Sequence, residues 1–326
     1  MMREVLYALA PGTLAMMWFF GWGILFNIVI TISLAIAFEA LMLKLRTRPI
    51  RPFLGDYSAV VTGWLLALTM PPFAPWWLLA IAVFFSIVIA KHLYGGLGYN
   101  PFNPAMIGYA VALISFPVDM VQWPAANLSS FSSIDFVSAF QHIMLGKPLA
   151  NWDAVTMATS LDAIKTGLRM EQTVPVIEQG DMFGLFAGNG WEWVSLGYLL
   201  GGLWLLYRKI ISWHIPVSLL GILALLSTVF WLIDNQQYAS PLFHLLAGGA
   251  MLGAFFIATD PVSASTTPMG KILYAIGIGF LIYVIRVFGS GYPDGVAFAV
   301  IIMNMAVPII DYYTRPRVFG ANRSNE

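Results

Sequence analysis

A short polar island, Asp153-Ala-Val-Thr-Met-Ala-Thr-Ser-Leu-Asp162, holds the residues whose types and spacing could do chemistry. Three apolar residues follow at helical spacing: Leu161, Ile164 and Leu168. This spacing predicts a helix whose N-cap lies at or beside Thr159, with Asp162 three residues further on. A phosphate bound there would meet free backbone N–H groups and the positive end of a helix dipole. From these residues alone, the alternative that Thr159 is only a helix cap stays open.

The composition of the chain is that of a membrane protein. Of the 326 residues, 59% are hydrophobic and 10% are charged, whereas about a quarter of the residues in a soluble domain are charged. The absence of cysteine excludes thiolate-ligated iron–sulfur clusters, thiol nucleophiles and disulfides. The four histidines show no helical pairing, and no Walker A loop or dinucleotide-binding glycine motif occurs. The sequence therefore predicts no metal site, no nucleotide chemistry of its own and no nucleic-acid partner.

Apolar segments long enough to cross a bilayer occur in two blocks of five. The predicted spans are a hairpin over 5–43 that breaks near 21–23, segments 57–71, up to 91 and up to 116, and segments near 193–207, 215–233, 242–258, 272–288 and 295–311. The predicted fold class is an all-α polytopic membrane protein of about ten transmembrane helices. Its domains are a membrane repeat over 1–116, an extracytoplasmic loop over 117–191 and a second membrane repeat over 192–326.

The positions of the basic residues predict the orientation. Most of the 16 lysines and arginines flank the spans on one side, including Lys91 at the end of the fourth span. By the positive-inside rule that side is the cytoplasm, so both termini are predicted to be cytoplasmic and the loop over 117–191 lies outside. This loop carries Lys147, Lys165 and Arg169, and Arg286 lies within a span.

The two blocks also resemble each other. Thr62–Pro71 is similar to Leu252–Pro261, and Gly96–Pro101 is similar to Gly289–Pro293. Because each block has an odd number of spans, the copies must face opposite ways, which predicts two inverted five-helix repeats with broken helices. Inverted repeats are typical of transporters, so a non-redox solute channel or transporter is an alternative function. A purely structural membrane scaffold is a third.

Arg286 and Asp294 form a candidate intramembrane site. A charge at bilayer depth costs roughly a few kcal/mol unless it is paired or wetted. Gly289, Gly291 and Pro293 break the helix between the two residues and could fold Asp294 back towards the guanidinium group. The alternative is that Asp294 caps the tenth span at the outer surface while Arg286 reaches the interface with its long side chain.

Four longer segments carry a resemblance to known proteins: WFFGWG, KHLYGGLGYNPFNPAMIGY, MLGAFFIATDPVSAST and GYPDGVAFAVIIMNMAVPIIDYYTRPRVFG. They resemble the superfamily that contains the RnfD membrane component of the Rnf ion-translocating electron transport complex and the NqrB membrane component of the sodium-translocating NADH:quinone reductase. The resemblance extends over nearly the whole chain. The chain begins almost at its first span, without the long leader of the quinone-reductase component, so the Rnf type is expected.

The resemblance implies a covalent FMN, joined through its phosphate to a threonine hydroxyl within an acidic residue, Ser/Thr-x-Ala-Thr pattern. That pattern is matched here at four positions: Asp153, Thr156, Ala158 and Thr159. Thr159 is therefore the implied acceptor. Met157 and Ser160 stand where a glycine and a proline are common, so the attaching enzyme would have to accept both.

The resemblance further implies a membrane subunit of a translocase-type oxidoreductase complex in the bacterial inner membrane. This component would carry electrons through FMN, with coupling to ion movement in the full complex, and would have no catalytic residue of its own. A threonine hydroxyl is a poor nucleophile, so a separate flavin transferase is expected. The other implied partners are the remaining subunits and membrane lipid. The sequence leaves open whether a second, non-covalent flavin is bound and whether the coupling ion is Na⁺ or H⁺.

Overall fold

The computed structural model describes residues 1–126, 134–149, 156–289, 291 and 294–315. Its architecture is mostly helical, with one two-stranded antiparallel ladder of β1 (Trp123–Pro124) and β2 (Thr156–Met157). Within the described residues, four helices are long and apolar enough to cross a bilayer on their own: Gly23–Leu45, His214–Ile233, Pro268–Val287 and Val296–Thr314. Shorter apolar helices accompany them. These features agree with the predicted class, an all-α membrane protein.

The helices of the first half are α1 (Met2–Phe20), α2 (Gly23–Leu45), α3 (Ile50–Leu54), α4 (Ser58–Thr69), α5 (Trp76–Phe84), α6 (Pro104–Ser115) and α7 (Pro117–Met120). Helix α5 continues as a π-helical segment, π1 (Phe85–His92). The predicted break of the first apolar run is confirmed, because Gly21 ends α1 with a φ of 80°. Helix α6 begins where the Asn103 side chain accepts a hydrogen bond from the N–H of Met106, and Pro104 takes the first helical position.

The helices of the remaining chain are α8 (Phe136–Leu145), α9 (Ser160–Arg169), α10 (Val174–Ile177), α11 (Trp191–Tyr207), α12 (His214–Ile233), α13 (Pro241–Leu246), α14 (Ala250–Leu252), α15 (Pro268–Val287) and α16 (Val296–Thr314). A second π-helical segment, π2 (Gly253–Ile257), follows α14. The predicted span near 242–258 is not one continuous helix. The helix stops at Leu246 and resumes at Ala250, because Gly248 between them has a φ of 63°, a left-handed conformation that glycine adopts without strain.

Helices from the two halves of the chain pack directly against each other. Helix α1 runs along α11, and α6 contacts α16. At the first of these contacts a Cβ atom on Gly201 would overlap the carbonyl oxygen of Ala8, and one on Gly12 would overlap the ring of Tyr198. Small residues at such contacts allow membrane helices to approach closely. One buried apolar cluster accordingly extends through both halves.

The segment between the two halves folds back onto the membrane helices. Phe136 at the start of α8 packs against Trp22 and Phe26, with ring centroids 5.5 Å and 4.8 Å apart. Helix α9 buries Leu161 and Ile164 in a small apolar cluster that includes residues of α13. The described part of this segment is therefore anchored at both ends.

Candidate functional site

Thr159 is the N-cap of α9, which confirms the predicted helix start. Its backbone is extended, and its Oγ1 atom accepts a hydrogen bond of 3.3 Å from the N–H of Asp162. The first N–H groups of a helix lack partners within the helix, and their dipoles favour negative charge beside them. The hydroxyl oxygen of Thr159 therefore lies where an attached phosphate would be stabilised.

Two backbone features hold Thr159 in this position. The preceding strand β2 pairs with β1, with Thr156 opposite Pro124 and Met157 opposite Trp123. On the other side, α9 is fixed by the burial of its apolar face. Thr159 therefore lies between an anchored strand and an anchored helix, with its side chain half-buried.

A loop before α11 closes over the start of α9. The buried carboxylate of Glu192 accepts hydrogen bonds from the N–H groups of Phe186 and Ala187, at 2.7 Å and 2.8 Å. This bond pair fixes the loop in which Gly188 lies directly against Ser160. Glu192 holds this loop in position, and the sequence analysis missed that role. A glutamate in the first turn of a helix is normally explained by its favourable interaction with the helix dipole.

Thr159 borders a large cavity between the two halves of the protein. Its walls carry aromatic side chains and methionines, among them Tyr109, Trp123, Trp191, Tyr198, Met16, Met106 and Met120. The empty volume is about 1070 Å³, open mouth included. Trp123 and Trp191 contact each other at 5.1 Å between ring centroids, and Phe20 packs against both. This is an apolar, ring-lined cavity with few polar groups.

Asp294 lies on the wall of the same cavity and pairs with Arg286. Its Oδ1 atom is 3.0 Å from Arg286 Nη2, and its Oδ2 atom accepts a hydrogen bond of 2.6 Å from the N–H of Gly249. Arg286 also donates to the carbonyl oxygens of His244 and Ala247, at 2.6 Å and 3.0 Å. The Arg286 side chain is 1% exposed and that of Asp294 is 24% exposed. The buried guanidinium group is thus neutralised at the cavity wall.

The break between α13 and α14 makes this arrangement possible. A Cβ atom on Gly248 would lie 2.6 Å from Asp294 Oδ2 and 2.7 Å from a methyl carbon of Leu161 in α9. Glycine at this position therefore lets the broken helix approach both the carboxylate and the helix that begins beside Thr159.

The structure brings most of the sequence-predicted site residues together. Two of them, Thr159 and Asp294, border the cavity, and Asp162 of the same helix start borders it as well. Arg286 lies behind Asp294, and the fold-back that sequence reasoning allowed for this pair is observed. Thr156 lies in β2 and Ala158 is exposed in the link to Thr159. Asp153 lies outside the described residues, and the roles of these residues in a cofactor site stay predictions.

Known proteins are similar in sequence to this chain along almost its whole length. A sequence model of the NQR2, RnfD, RnfE family matches residues 1–320. The chain belongs to this family. It is 51% identical to a protein of Vibrio atlanticus (strain LGP32) over 98% of this chain and 94% of the relative, and 52% identical to one of Aliivibrio salmonicida (strain LFI1238) over 98% and 93%. A relative from Alcanivorax borkumensis is 51% identical over 99% of this chain and 93% of its own length. Each of the three relatives is named as the D component of an ion-translocating oxidoreductase complex.

This member of the NQR2, RnfD, RnfE family has a buried charge cluster that sequence reasoning missed. Lys91 Nζ lies 2.8 Å from Glu39 Oε2 and 2.9 Å from Ser58 Oγ, and His92 Nε2 lies 3.2 Å from the same carboxylate oxygen. The Lys91 and Glu39 side chains are 2% and 3% exposed. Lys91 lies in the last turn of its helix, at the predicted end of the fourth span, and its ammonium group points inward to a carboxylate. The sequence feature that could have revealed the cluster is Glu39, a charged residue within the long apolar helix α2.

The charge cluster borders a second cavity in this family member. Its lining includes Ser58, Lys91, Asn103, Thr259 and Asp260. Ser58 begins α4 and Asn103 caps the start of α6, whereas Lys91 lies in π1 and Thr259 and Asp260 follow π2. The Asn103 side chain donates a hydrogen bond of 3.2 Å to the carbonyl oxygen of Ile257, which joins the two halves at this end.

Proposed function

We propose that the chain is a membrane subunit of an ion-translocating oxidoreductase complex and carries electrons through FMN, attached to Thr159 by a phosphoester bond. The names of the relatives support the complex. The observation that carries the flavin proposal is the hydroxyl of Thr159, which is positioned at a helix N-terminus on the border of a ring-lined cavity.

The residues of this cavity fit FMN. The start of α9 offers backbone N–H groups to a phosphate, while the aromatic and methionine walls suit a flat ring system. Asp162 adds a carboxylate at the start of α9. The attraction between the helix N-terminus and the phosphate would have to exceed the repulsion between this carboxylate and the phosphate. FMN, when bound, supplies the redox chemistry, and the protein supplies its position and surroundings.

The chain's own contribution is to orient and shield the cofactor. Thr159 provides the oxygen atom of the ester bond, and no histidine lines the cavity within the described part of the chain. We therefore expect a separate transferase to activate this hydroxyl. Flavin fluorescence that stays with the denatured full-length protein would support the proposal. Its absence would contradict the proposal and favour the non-redox transporter.

We further propose that Asp294 and Arg286 set the polarity of the cavity wall. Asp294→Asn removes the negative charge that faces the cavity and leaves Arg286 without its counter-ion. Electron transfer or ion coupling in the assembled complex is expected to fall several-fold, while FMN stays attached to Thr159. Reduction kinetics of the complex and the mass of the denatured chain measure the two effects.

The exposed outer-loop residue Asp181 supplies a matched control for this variant. Asp181→Asn should leave kinetics and attachment unchanged. The companion variant Arg286→Leu tests the same ion pair by removing its more buried partner. Normal turnover and coupling in both Asp294→Asn and Arg286→Leu would reduce the pair to a structural role.

We also infer ten transmembrane segments in two inverted five-helix repeats. The support is that α1 packs on α11 and α6 on α16. These are the first and last helices of each half, and contacts between equivalent helices are expected where a pseudo-two-fold axis relates two repeats. The non-helical stretch 94–103 precedes α6 in the first half, and the stretch 247–249 interrupts the predicted span 242–258 in the second half.

The proposed location is the bacterial inner membrane, with both termini in the cytoplasm and the Thr159 loop in the periplasm. Alkaline phosphatase, which is active only in the periplasm, is expected to be active when fused after Glu171. A fusion after Lys209, on the proposed inner side, is the control and should be inactive. Reversed activities would overturn the orientation, and equal activities would overturn the placement of the loop.

A further inference from the structure

Helix α8 exposes apolar side chains and partly buries its polar ones. Five of the ten residues of Phe136–Leu145 are large hydrophobic residues with exposed side chains: Phe136, Val137, Phe140, Met144 and Leu145. The polar residues between them, Ser138, Gln141 and His142, are half-buried. This pattern is the reverse of that of a helix on a water-exposed surface, whose polar face points outward. The exposed face of α8 is therefore suited to an apolar environment.

The polar groups of α8 form bonds within the segment itself. The Nδ1 atom of His142 lies 2.9 Å from the carbonyl oxygen of Lys147, and the side-chain oxygen of Gln141 lies 3.4 Å from Lys147 Nζ. At the start of the helix, the carboxylate of Asp135 accepts a hydrogen bond of 3.1 Å from the N–H of Val137. These bonds reduce the free-energy cost of placing the helix against an apolar phase.

Helix α8 packs on the lipid-facing side of α2. The exposed residues of this spanning helix recur at helical spacing along one stripe: Val29, Ser33, Ile36, Ala37 and Leu41. Phe26 belongs to the same stripe, since it lies three residues before Val29 and seven before Ser33. Its ring contacts the rings of Phe136 and Phe140, at 4.8 Å and 6.0 Å between centroids. The helix therefore covers the first turn of a stripe that is exposed further along α2.

The length of α2 indicates the depth of this contact in the bilayer. Lys44 lies in the last turn of α2, and a lysine at the end of a spanning helix reaches the membrane interface. Roughly 27 Å of helix separate Phe26 from Lys44, whereas the hydrocarbon core is about 30 Å thick. The rings of Phe26, Phe136 and Phe140 therefore lie just inside the opposite boundary of the core, which is the depth of an interfacial helix.

The buried face of α8 covers the non-helical turn between α4 and α5. Ala139 and Ile143 are buried in one apolar cluster with Phe73 of that turn. The side chain of Asn27 donates a hydrogen bond of 2.8 Å to the carbonyl oxygen of Pro71 in the same turn. Backbone that is not helical is tolerated at membrane depth only where protein covers it. Helix α8 thus separates this turn from the lipid.

We propose that α8 is an interfacial helix whose outward face, formed by Val137, Phe140 and Met144, is immersed in lipid. The partner is the acyl-chain region of the leaflet at the Gly23 end of α2, and apolar contact rather than a headgroup holds the helix there. This contact fixes the segment before β2 at the membrane surface. The placement depends neither on bound flavin nor on which leaflet is the outer one.

Spin labels on the full-length chain test this placement, because the sequence contains no cysteine and a single label can be introduced at will. Val137→Cys and Met144→Cys carry the label on the outward face, and the chain is reconstituted in vesicles of dioleoyl phosphatidylcholine. The readout is the collision rate of the label with dissolved oxygen, which concentrates in hydrocarbon, divided by its collision rate with a water-soluble nickel chelate. At both positions this ratio should exceed that of a water-exposed label several-fold.

Two reference positions calibrate the ratio. Asp181→Cys, at an exposed position after α10, is the water reference, and Ser33→Cys, on the exposed stripe of α2, is the lipid reference. Ratios at Val137 and Met144 equal to that at Asp181 would overturn the proposal. The lipid-like ratios should persist in the assembled complex. Loss of both collision rates there would overturn lipid as the partner and assign this face to another subunit.

Discussion

Replacing Thr159 by valine is expected to abolish covalent attachment of FMN while the chain remains folded. Valine has nearly the shape of threonine but lacks the oxygen atom that would form the phosphoester. The loss of the cap on α9 costs roughly 1 kcal/mol of helix stability, and the apolar contacts of Leu161 and Ile164 remain to hold the helix in place. The intact mass and the fluorescence of the denatured chain measure the attachment.

Two further variants separate the hydroxyl from its position. Thr166→Val changes an exposed threonine of the same helix and should retain the full adduct. Thr159→Ser keeps both the oxygen atom and the cap, so it should retain some attachment. An FMN adduct that persists in Thr159→Val would show that another residue is the acceptor.

Replacing Glu39 by glutamine is expected to lower the free energy of unfolding far more than removing the charge of an exposed ion pair. Glu39→Gln leaves the buried ammonium group of Lys91 with Ser58 and without the carboxylate that contacts it directly. Breaking a buried ion pair from one side typically costs about 3–5 kcal/mol, because the remaining charge stays desolvated. Thermal unfolding of the purified chain in detergent should therefore show a clearly lower midpoint.

The exposed pair of Glu4 and Arg208 provides the comparison. Its side chains are 24% and 49% exposed, and the two atoms are 3.2 Å apart, so Glu4→Gln should cost only about 0–1 kcal/mol. Replacing both buried partners, as in Glu39→Leu/Lys91→Met, should recover much of the loss. Equal midpoints for Glu39→Gln and Glu4→Gln would contradict the buried-pair interpretation.

Local signals in the sequence predicted the start of the site well. The spacing of Leu161, Ile164 and Leu168 indicated where α9 had to begin, and Thr159 has the side chain that a helix N-cap prefers. The break at Gly21 was also local, since glycine interrupts a run too long for one span. Such features are determined by residues that are close to one another in the sequence, so they can be predicted from it.

The rest depended on partners far away in the chain. The break at Gly248 lies inside an apolar run, and the carboxylate that binds the N–H of the neighbouring Gly249 belongs to Asp294, which is far away in the sequence. Lys91 was predicted only as one of the basic residues that flank the spans, whereas its partner Glu39 lies on another helix. The buried ring nitrogens of His244, which have no hydrogen-bond partner within the described structure, likewise depend on how α13 and α15 pack. Spacing along one chain does not encode these pairings.

The close contact of α1 with α11 has a consequence for how the protein is made. Trp191–Tyr207 follows Met2–Phe20 by more than half of the chain, so the face of α1 at Ala8 and Gly12 can be covered only after α11 has been synthesised. At ~5–20 residues per second this takes roughly ten to thirty seconds. The packing of the two halves against each other is therefore necessarily a late event in the synthesis of the protein.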